Sequence, residues 1–104
     1  MKPDDTHLRA EAETLQGMIR GRGGLDRIHV RAGMGHLTVE AEDSEGARQL
    51  LARAVPAGAG TYLPAILVAP WRWKYIPPAA SLEAVAGRLL GLVVLPRLHH
   101  DRRG

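Results

Sequence analysis

Two runs of alternating apolar and polar residues predict a β-hairpin in the first half of the chain. Asp26–Ala32 carries apolar side chains at positions 28, 30 and 32, and Leu37–Glu42 carries them at positions 37, 39 and 41. Alternation of this kind gives a strand one buried face and one solvent-exposed face. The two runs are separated by only four residues, which favours an antiparallel pair.

The loop of this hairpin can be closed in two ways that keep the apolar faces together. A two-residue Gly33-Met34 loop places Arg27 opposite Glu40, whereas a four-residue loop, Gly33–His36, places His29 opposite Glu40. A three-residue loop would turn one apolar set toward water, because side chains alternate with a period of two. The sequence does not decide between the two-residue and the four-residue loop.

Three segments show the i, i+3, i+4 spacing of amphipathic helices. The first ends at the glycines of positions 21–24. The second is predicted to begin at Asp43 or Ser44, either of which can cap a helix, and to stop at Pro56. The third is capped by Ser81. The three apolar stripes are Leu8, Ala12, Leu15, Ile19; Ala47, Leu50, Leu51, Ala54; and Leu82, Val85, Ala86, Leu89, Leu90, Val93.

Two further strands are predicted between the second and third helices. Thr61–Ala69 is almost wholly apolar, and we expect Pro64 to place it at a sheet edge or bulge, because proline cannot donate to a strand ladder. Trp71–Ile76 alternates aromatic and basic residues. Leu92–Leu95 is compatible with a short last strand.

The predicted element order is therefore α-β-β-α-β-β-α. It indicates an α+β fold: a two-layer sandwich with a four-stranded, mainly antiparallel sheet and helices on one face. We expect residues 1–96 to form a single domain and 97–104 to form a basic flexible tail. The predicted core comprises Val30, Val39, Leu50, Leu51, Ile66, Val68 and Leu89.

The composition and the missing motifs exclude several classes of function. The chain of 104 residues has no Cys, which excludes disulfides and cysteine catalysis. No nucleophile–base constellation, phosphate loop or dinucleotide fingerprint is present, so we predict a protein that is not an enzyme and holds no cofactor. No secretory signal and no apolar stretch of membrane-spanning length is visible, which predicts a cytoplasmic location.

Glycine spacing in the third helix supports the leading hypothesis, a non-catalytic interaction module that docks on a protein partner or forms a homodimer. Gly87 and Gly91 lie four residues apart and each costs roughly 1 kcal/mol against alanine inside a helix. With Val85 and Leu89 they form the predicted partner-binding set. A tight helix crossing inside the domain, or a helix that ends at Gly91, explains the glycines without a partner.

The alternative hypothesis is a nucleic-acid-binding accessory domain. Residues 61–104 contain six Lys/Arg and two Asp/Glu, whereas residues 1–60 contain eight and nine, so positive charge is concentrated in the second part of the chain. Aromatic rings can stack on bases while cations meet phosphates. We nevertheless expect the rings of the aromatic strand to fill the core. The residues of this alternative are Trp71, Arg72, Trp73, Lys74, Tyr75, Arg97, Arg102 and Arg103.

A metal site is a weaker hypothesis. His29, His36 and Glu40 share the polar face of the hairpin in one register, and such side chains can ligate zinc or copper. Their spacing matches no established metal-binding pattern. We therefore predict no metal ion.

Overall fold

The computed structural model describes residues 5–23, 26–70 and 72–94. Five described strands pair antiparallel in the order in which they follow along the chain, a simple meander. The described elements are α1 (Asp5–Gly23), β1 (Ile28–Gly33), β2 (His36–Glu42), β3 (Arg48–Gly58), β4 (Thr61–Ala69), β5 (Arg72–Tyr75), α2 (Leu82–Leu89) and a π-helical turn (Leu90–Val94). The α+β class and the antiparallel sheet are confirmed, but the sheet has five strands and the element order differs from the predicted one.

The difference lies in the predicted second helix, which is strand β3. Asp43 caps a hairpin turn instead of a helix: its Oδ1 accepts hydrogen bonds from the backbone N–H groups of Glu45 and Ala47 at 2.8 and 3.0 Å. Gly46 completes the turn with φ +86°. Because β3 pairs with both β2 and β4, its backbone hydrogen bonds are satisfied across the sheet, which outweighs the modest helix preference of the alanines and leucines.

A bulge explains why the apolar residues of β3 are spaced as in a helix. The register between β2 and β3 shifts between Val39 and Glu40, so that Leu50 pairs with Glu40 and Ala52 pairs with Val39. The extra residue, Leu51, is buried beside Ala52 on the same side of the sheet. Buried side chains at positions 51, 52 and 54 therefore break the period of two that identifies a strand.

The β1–β2 hairpin adopts the register of the Gly33–His36 loop. His29 pairs with Glu40 and Gly33 pairs with His36, so the Gly33-Met34 loop and its Arg27–Glu40 pair are wrong. The two central residues are Met34 and Gly35, with φ of +54° and +81°. Positive φ at both central positions is the type I′ geometry that matches the twist of the flanking strands.

One hydrophobic core lies between the sheet and the helices. It contains the predicted stripe of α1, that is Leu8, Ala12, Leu15 and Ile19, together with Leu82, Val85, Ala86 and Leu89 of α2 and the inward side chains of the strands. Both helices thus cover the same sheet face. Val30, Val39, Leu51 and Leu89 are buried as predicted and Ile66 is partly buried, but Leu50 and Val68 are 39% and 53% exposed.

Pro64 lies in an interior strand, which corrects the edge expectation. Its carbonyl accepts a hydrogen bond from Ile76 N–H at 2.8 Å, so its ring nitrogen also faces the side of β5. Ile76 lies just beyond the last residue of β5, so the missing N–H of Pro64 removes only the return bond to the Ile76 carbonyl, at the end of the ladder.

The last described elements follow the predicted cap at Ser81. The Ser81 side chain accepts from Ala84 N–H at 3.3 Å. The π-helical turn occupies Leu90–Val94, where a short strand was expected. Among the described helices, none is long and apolar enough to cross a membrane.

Candidate interaction surface

The sheet face turned away from the helices, here called the open face, is covered by no described element. Register fixes which side chains share it. One row crosses all five strands on this face: Arg31, Thr38, Arg53, Ala65 and Tyr75. The neighbouring row faces the helices and consists of Val30, Val39, Ala52, Ile66 and Lys74.

A compact cluster of Arg53, Trp73 and Tyr75 occupies the part of the open face above β3, β4 and β5. The Arg53 guanidinium carbon lies 4.0 Å from the centroid of the Trp73 ring, and Arg53 Nη2 donates to the Tyr75 hydroxyl at 3.3 Å. Ala65 lies between Arg53 and Tyr75 in the row and is fully buried, so its small side chain forms the floor of the cluster. A cation over an indole face contributes about 0.5–2 kcal/mol, depending on its desolvation.

Arg53 carries a positive charge that no described acid neutralises. It forms none of the ion pairs found among the described residues, and its Nε is buried without a hydrogen-bond partner there. Burial, and after it the charge of Arg53, lower the pKa of His36 below its usual value of 6.5. The His36 imidazole therefore resists protonation and adds no second positive charge near Arg53.

Two other arginines near the β1–β2 side of the sheet, Arg31 and Arg48, share the carboxylate of Glu40. Arg31 forms a double contact with Glu40, with Nε–Oε1 and Nη2–Oε2 distances of 3.0 Å each. Glu40 Oε1 also lies 3.7 Å from Arg48 Nη1; this buried oxygen receives no well-directed hydrogen bond and is held by charge alone. On this side of the sheet both arginines thus lie beside a carboxylate, in contrast to Arg53 in the cluster.

An apolar groove opens where the start of β3 and the end of β4 meet the π-helical turn. Its volume is about 750 Å³. Five large hydrophobic side chains are exposed among the described residues, and three of them, Leu50, Val68 and Leu92, line this one groove. Clustering of exposed apolar side chains in one place marks an interaction site more than scattered ones do.

The residues of the predicted partner-binding set do not form a surface of their own. Val85 and Leu89 are fully buried in the core, where no partner reaches them in the folded domain. Gly91 is exposed, and a Cβ built on it would meet nothing within 4 Å, so no tight helix crossing explains this glycine. The exposed apolar side chains near this helix lie instead in the groove, with Leu92 of the π-helical turn among them.

The residues of the nucleic-acid alternative are divided between two faces. Trp73 is half-buried and Tyr75 is 47% exposed, both on the open face, so these rings do not fill the core as expected. Arg72 and Lys74 are exposed on the opposite side of β5. Four residues of this set lie outside the described residues: Trp71, Arg97, Arg102 and Arg103.

The metal hypothesis gains no support from the geometry. His29 and Glu40 are opposite one another, but His36 lies four residues away along β2. His29 is instead placed between Arg20 and Glu42, at 3.3 and 3.6 Å. In the part of the chain that the structure describes, no three potential ligands are close enough to hold a metal ion.

Three residues of the surface were not singled out by the sequence. The apolar spacing predicts a helix around Leu50 and Arg53, because the bulge breaks the strand period that would place them on the open face. Leu92 was assigned to a strand. The sequence does contain a local signal for the hairpin between β2 and β3, because Asp43 followed by Gly46 between two apolar runs is typical of a hairpin turn.

Comparison with known proteins assigns no function to this surface. No protein-family model matches the chain, and no curated protein or solved structure resembles it significantly.

Proposed function

We propose that this protein is a non-catalytic interaction module that docks on a protein partner through the apolar groove. The observation that carries the proposal is the collection of Leu50, Val68 and Leu92 in one groove. Fully burying a large aliphatic side chain contributes about 1.5–3 kcal/mol, so covering two that are 53% exposed recovers about 1 kcal/mol each. Such a gain is the ordinary source of affinity at the centre of a protein interface.

The groove can be tested with one substitution and a matched control. Leu92→Asp introduces a charge into the groove, whereas Met34→Asp introduces the same charge at the β1–β2 turn, where Met34 is 97% exposed. We expect the wild-type protein and Met34→Asp to capture the same identified partner, and Leu92→Asp to lose it. Titration of the purified partner should show a negative heat-capacity change. Equal capture by all three proteins would contradict the groove.

Self-association is the version of this proposal in which the partner is a second copy. Sedimentation velocity over a range of concentrations detects it directly. A dimer that uses the groove should be weakened by Leu92→Asp and insensitive to added salt, because an apolar interface contains few screened charges.

A second candidate function, nucleic-acid binding, is favoured by the Arg53, Trp73 and Tyr75 cluster. An uncompensated cation beside an aromatic ring on an open sheet face suits base stacking with phosphate contact. Fluorescence anisotropy with a short single-stranded DNA should then show affinity that falls steeply with salt and is abolished by Trp73→Ala. Affinity no tighter than about micromolar at physiological salt is the ordinary nonspecific range and favours the protein partner.

A further inference from the structure

The two edges of the sheet differ in whether their outward backbone groups are occupied. At the β1 edge, Arg20 Nε donates to the Ile28 carbonyl at 2.8 Å, and Val30 N–H donates to Gln16 Oε1 at 2.9 Å. Both side chains come from α1. This edge is therefore capped by its own helix, a known protection against strand addition.

At the β5 edge, the described part of the chain provides no comparable cap. Ile76 N–H bonds to the Pro64 carbonyl on β4, so Lys74, two residues earlier, also faces β4, and Trp73 and Tyr75 point their backbone N–H and C=O groups outward. Among the described residues, no group forms a hydrogen bond with these outward positions. The outward N–H and C=O groups of Trp73 and Tyr75 form a short edge with which an added strand can pair.

The side chains of β5 present different chemistry on its two sides. Trp73 and Tyr75 lie on the open face, whereas Arg72 and Lys74 lie on the helix side. Both cations are exposed, and neither forms an ion pair among the described residues. A strand laid along this edge meets aromatic rings on one side and two free positive charges on the other.

We infer that the β5 edge binds an extended peptide of a partner protein as a sixth antiparallel strand, with acidic residues alternating with β-branched or aromatic ones. The acidic side chains would lie beside Arg72 and Lys74, and the apolar ones beside Trp73 and Tyr75. Cross-strand pairs of opposite charge and aromatic–β-branched pairs are the favourable ones. A second copy of β5 fits less well, because antiparallel pairing would oppose Arg72 and Lys74 to themselves. The inference goes beyond the proposed function, because the β5 edge contributes no residue to the groove and would be a separate docking site.

The first test uses a dye-labelled octapeptide that alternates valine and glutamate, titrated with the full chain in fluorescence anisotropy. In antiparallel pairing the valines oppose Trp73 and Tyr75, so their N–H groups donate to β5 while those of the glutamates point away. We expect N-methylation of the valines to abolish binding and N-methylation of the glutamates to leave it unchanged. Any other pattern, or no binding by the unmodified peptide, overturns the inference.

The second test exchanges the charges. The double variant Arg72→Glu, Lys74→Glu should lose at least tenfold in affinity for the valine–glutamate peptide and should gain affinity for a valine–lysine peptide. The double variant Arg9→Glu, Arg27→Glu, at two exposed positions outside β5, makes the same change in net charge and should have little effect. Thermal unfolding confirms that each variant is folded. Equal binding of both peptides by the double variant would contradict the charge pairing.

The outcomes separate this inference from the proposed function. If Leu92→Asp abolishes partner capture but no peptide binds, the groove stands and the edge is not the site. If the peptide binds as expected while Leu92→Asp leaves capture unchanged, the edge stands without the groove. A single-stranded oligonucleotide that binds through Arg72 and Lys74, with no binding by the peptide, would replace the inference with the nucleic-acid function.

Discussion

Two neighbouring leucines provide the sharpest test of the fold and of the groove together. Leu50→Ala and Leu51→Ala each remove three carbons, worth about 2.4 kcal/mol when fully buried at about 0.8 kcal/mol per carbon. Leu51 is 5% exposed and leaves a cavity, so we expect its loss to cost about 2–5 kcal/mol. Leu50 is 39% exposed and lines an open groove that solvent fills. Scaling by its buried fraction predicts about 1.5 kcal/mol, without a cavity contribution.

Urea unfolding followed by circular dichroism measures both free energies of unfolding. The m-value should be unchanged, so that the shift in midpoint reports stability alone. In a domain of this size, each kcal/mol corresponds to about 4–8 °C in Tm, which makes the difference between the two variants measurable. Equal losses for the two leucines would mean that both are buried alike, as on a helix. That result would refute strand β3 and remove Leu50 from the groove.

Three further predictions concern single side chains. Met34→Asn should stabilise the protein by about 0.5–1 kcal/mol in urea unfolding, because asparagine accepts the positive φ of the type I′ turn more readily. Burial, and after it Glu11, raise the pKa of Tyr62 above 10.0. The folded state therefore holds this proton more tightly, and stability should fall as pH rises above about 10, but less in Tyr62→Phe. His36, whose pKa is lowered, resists the proton that the unfolded chain accepts. Stability should thus decline as pH falls below about 6.5, and less steeply in His36→Gln.

The elements that the sequence predicted correctly are those with local causes. The stripe of α1, the Ser81 cap of α2 and the bounds of Thr61–Ala69 follow from spacing and cap chemistry within a few neighbouring residues. The two hairpin strands of the first half were equally clear. Their loop was not, because two loop lengths keep the same alternation and differ only in which residues pair.

The aromatic strand shows the limit of the same reasoning. Alternation correctly separates Trp73 and Tyr75 from Arg72 and Lys74, but it does not say which side of the strand faces the core. Only the position of the helices decides that. Since α1 and α2 both lie on the side of Lys74, the rings are left on the open face with Arg53.

The amino-acid sequence by itself therefore determined the α+β class, the Ser81 cap of α2 and the two-sided character of the strands, because these depend on residues close together in the chain. The tertiary structure alone decided that residues 48–58 are a strand, since that choice depends on hydrogen bonds to β2 and β4 that no local spacing records. The groove and the Arg53 cluster form because these residues are a strand. Both bring together side chains from separate elements, and the bulge at Leu51 removes the periodicity that would have placed Leu50 and Arg53 on a strand.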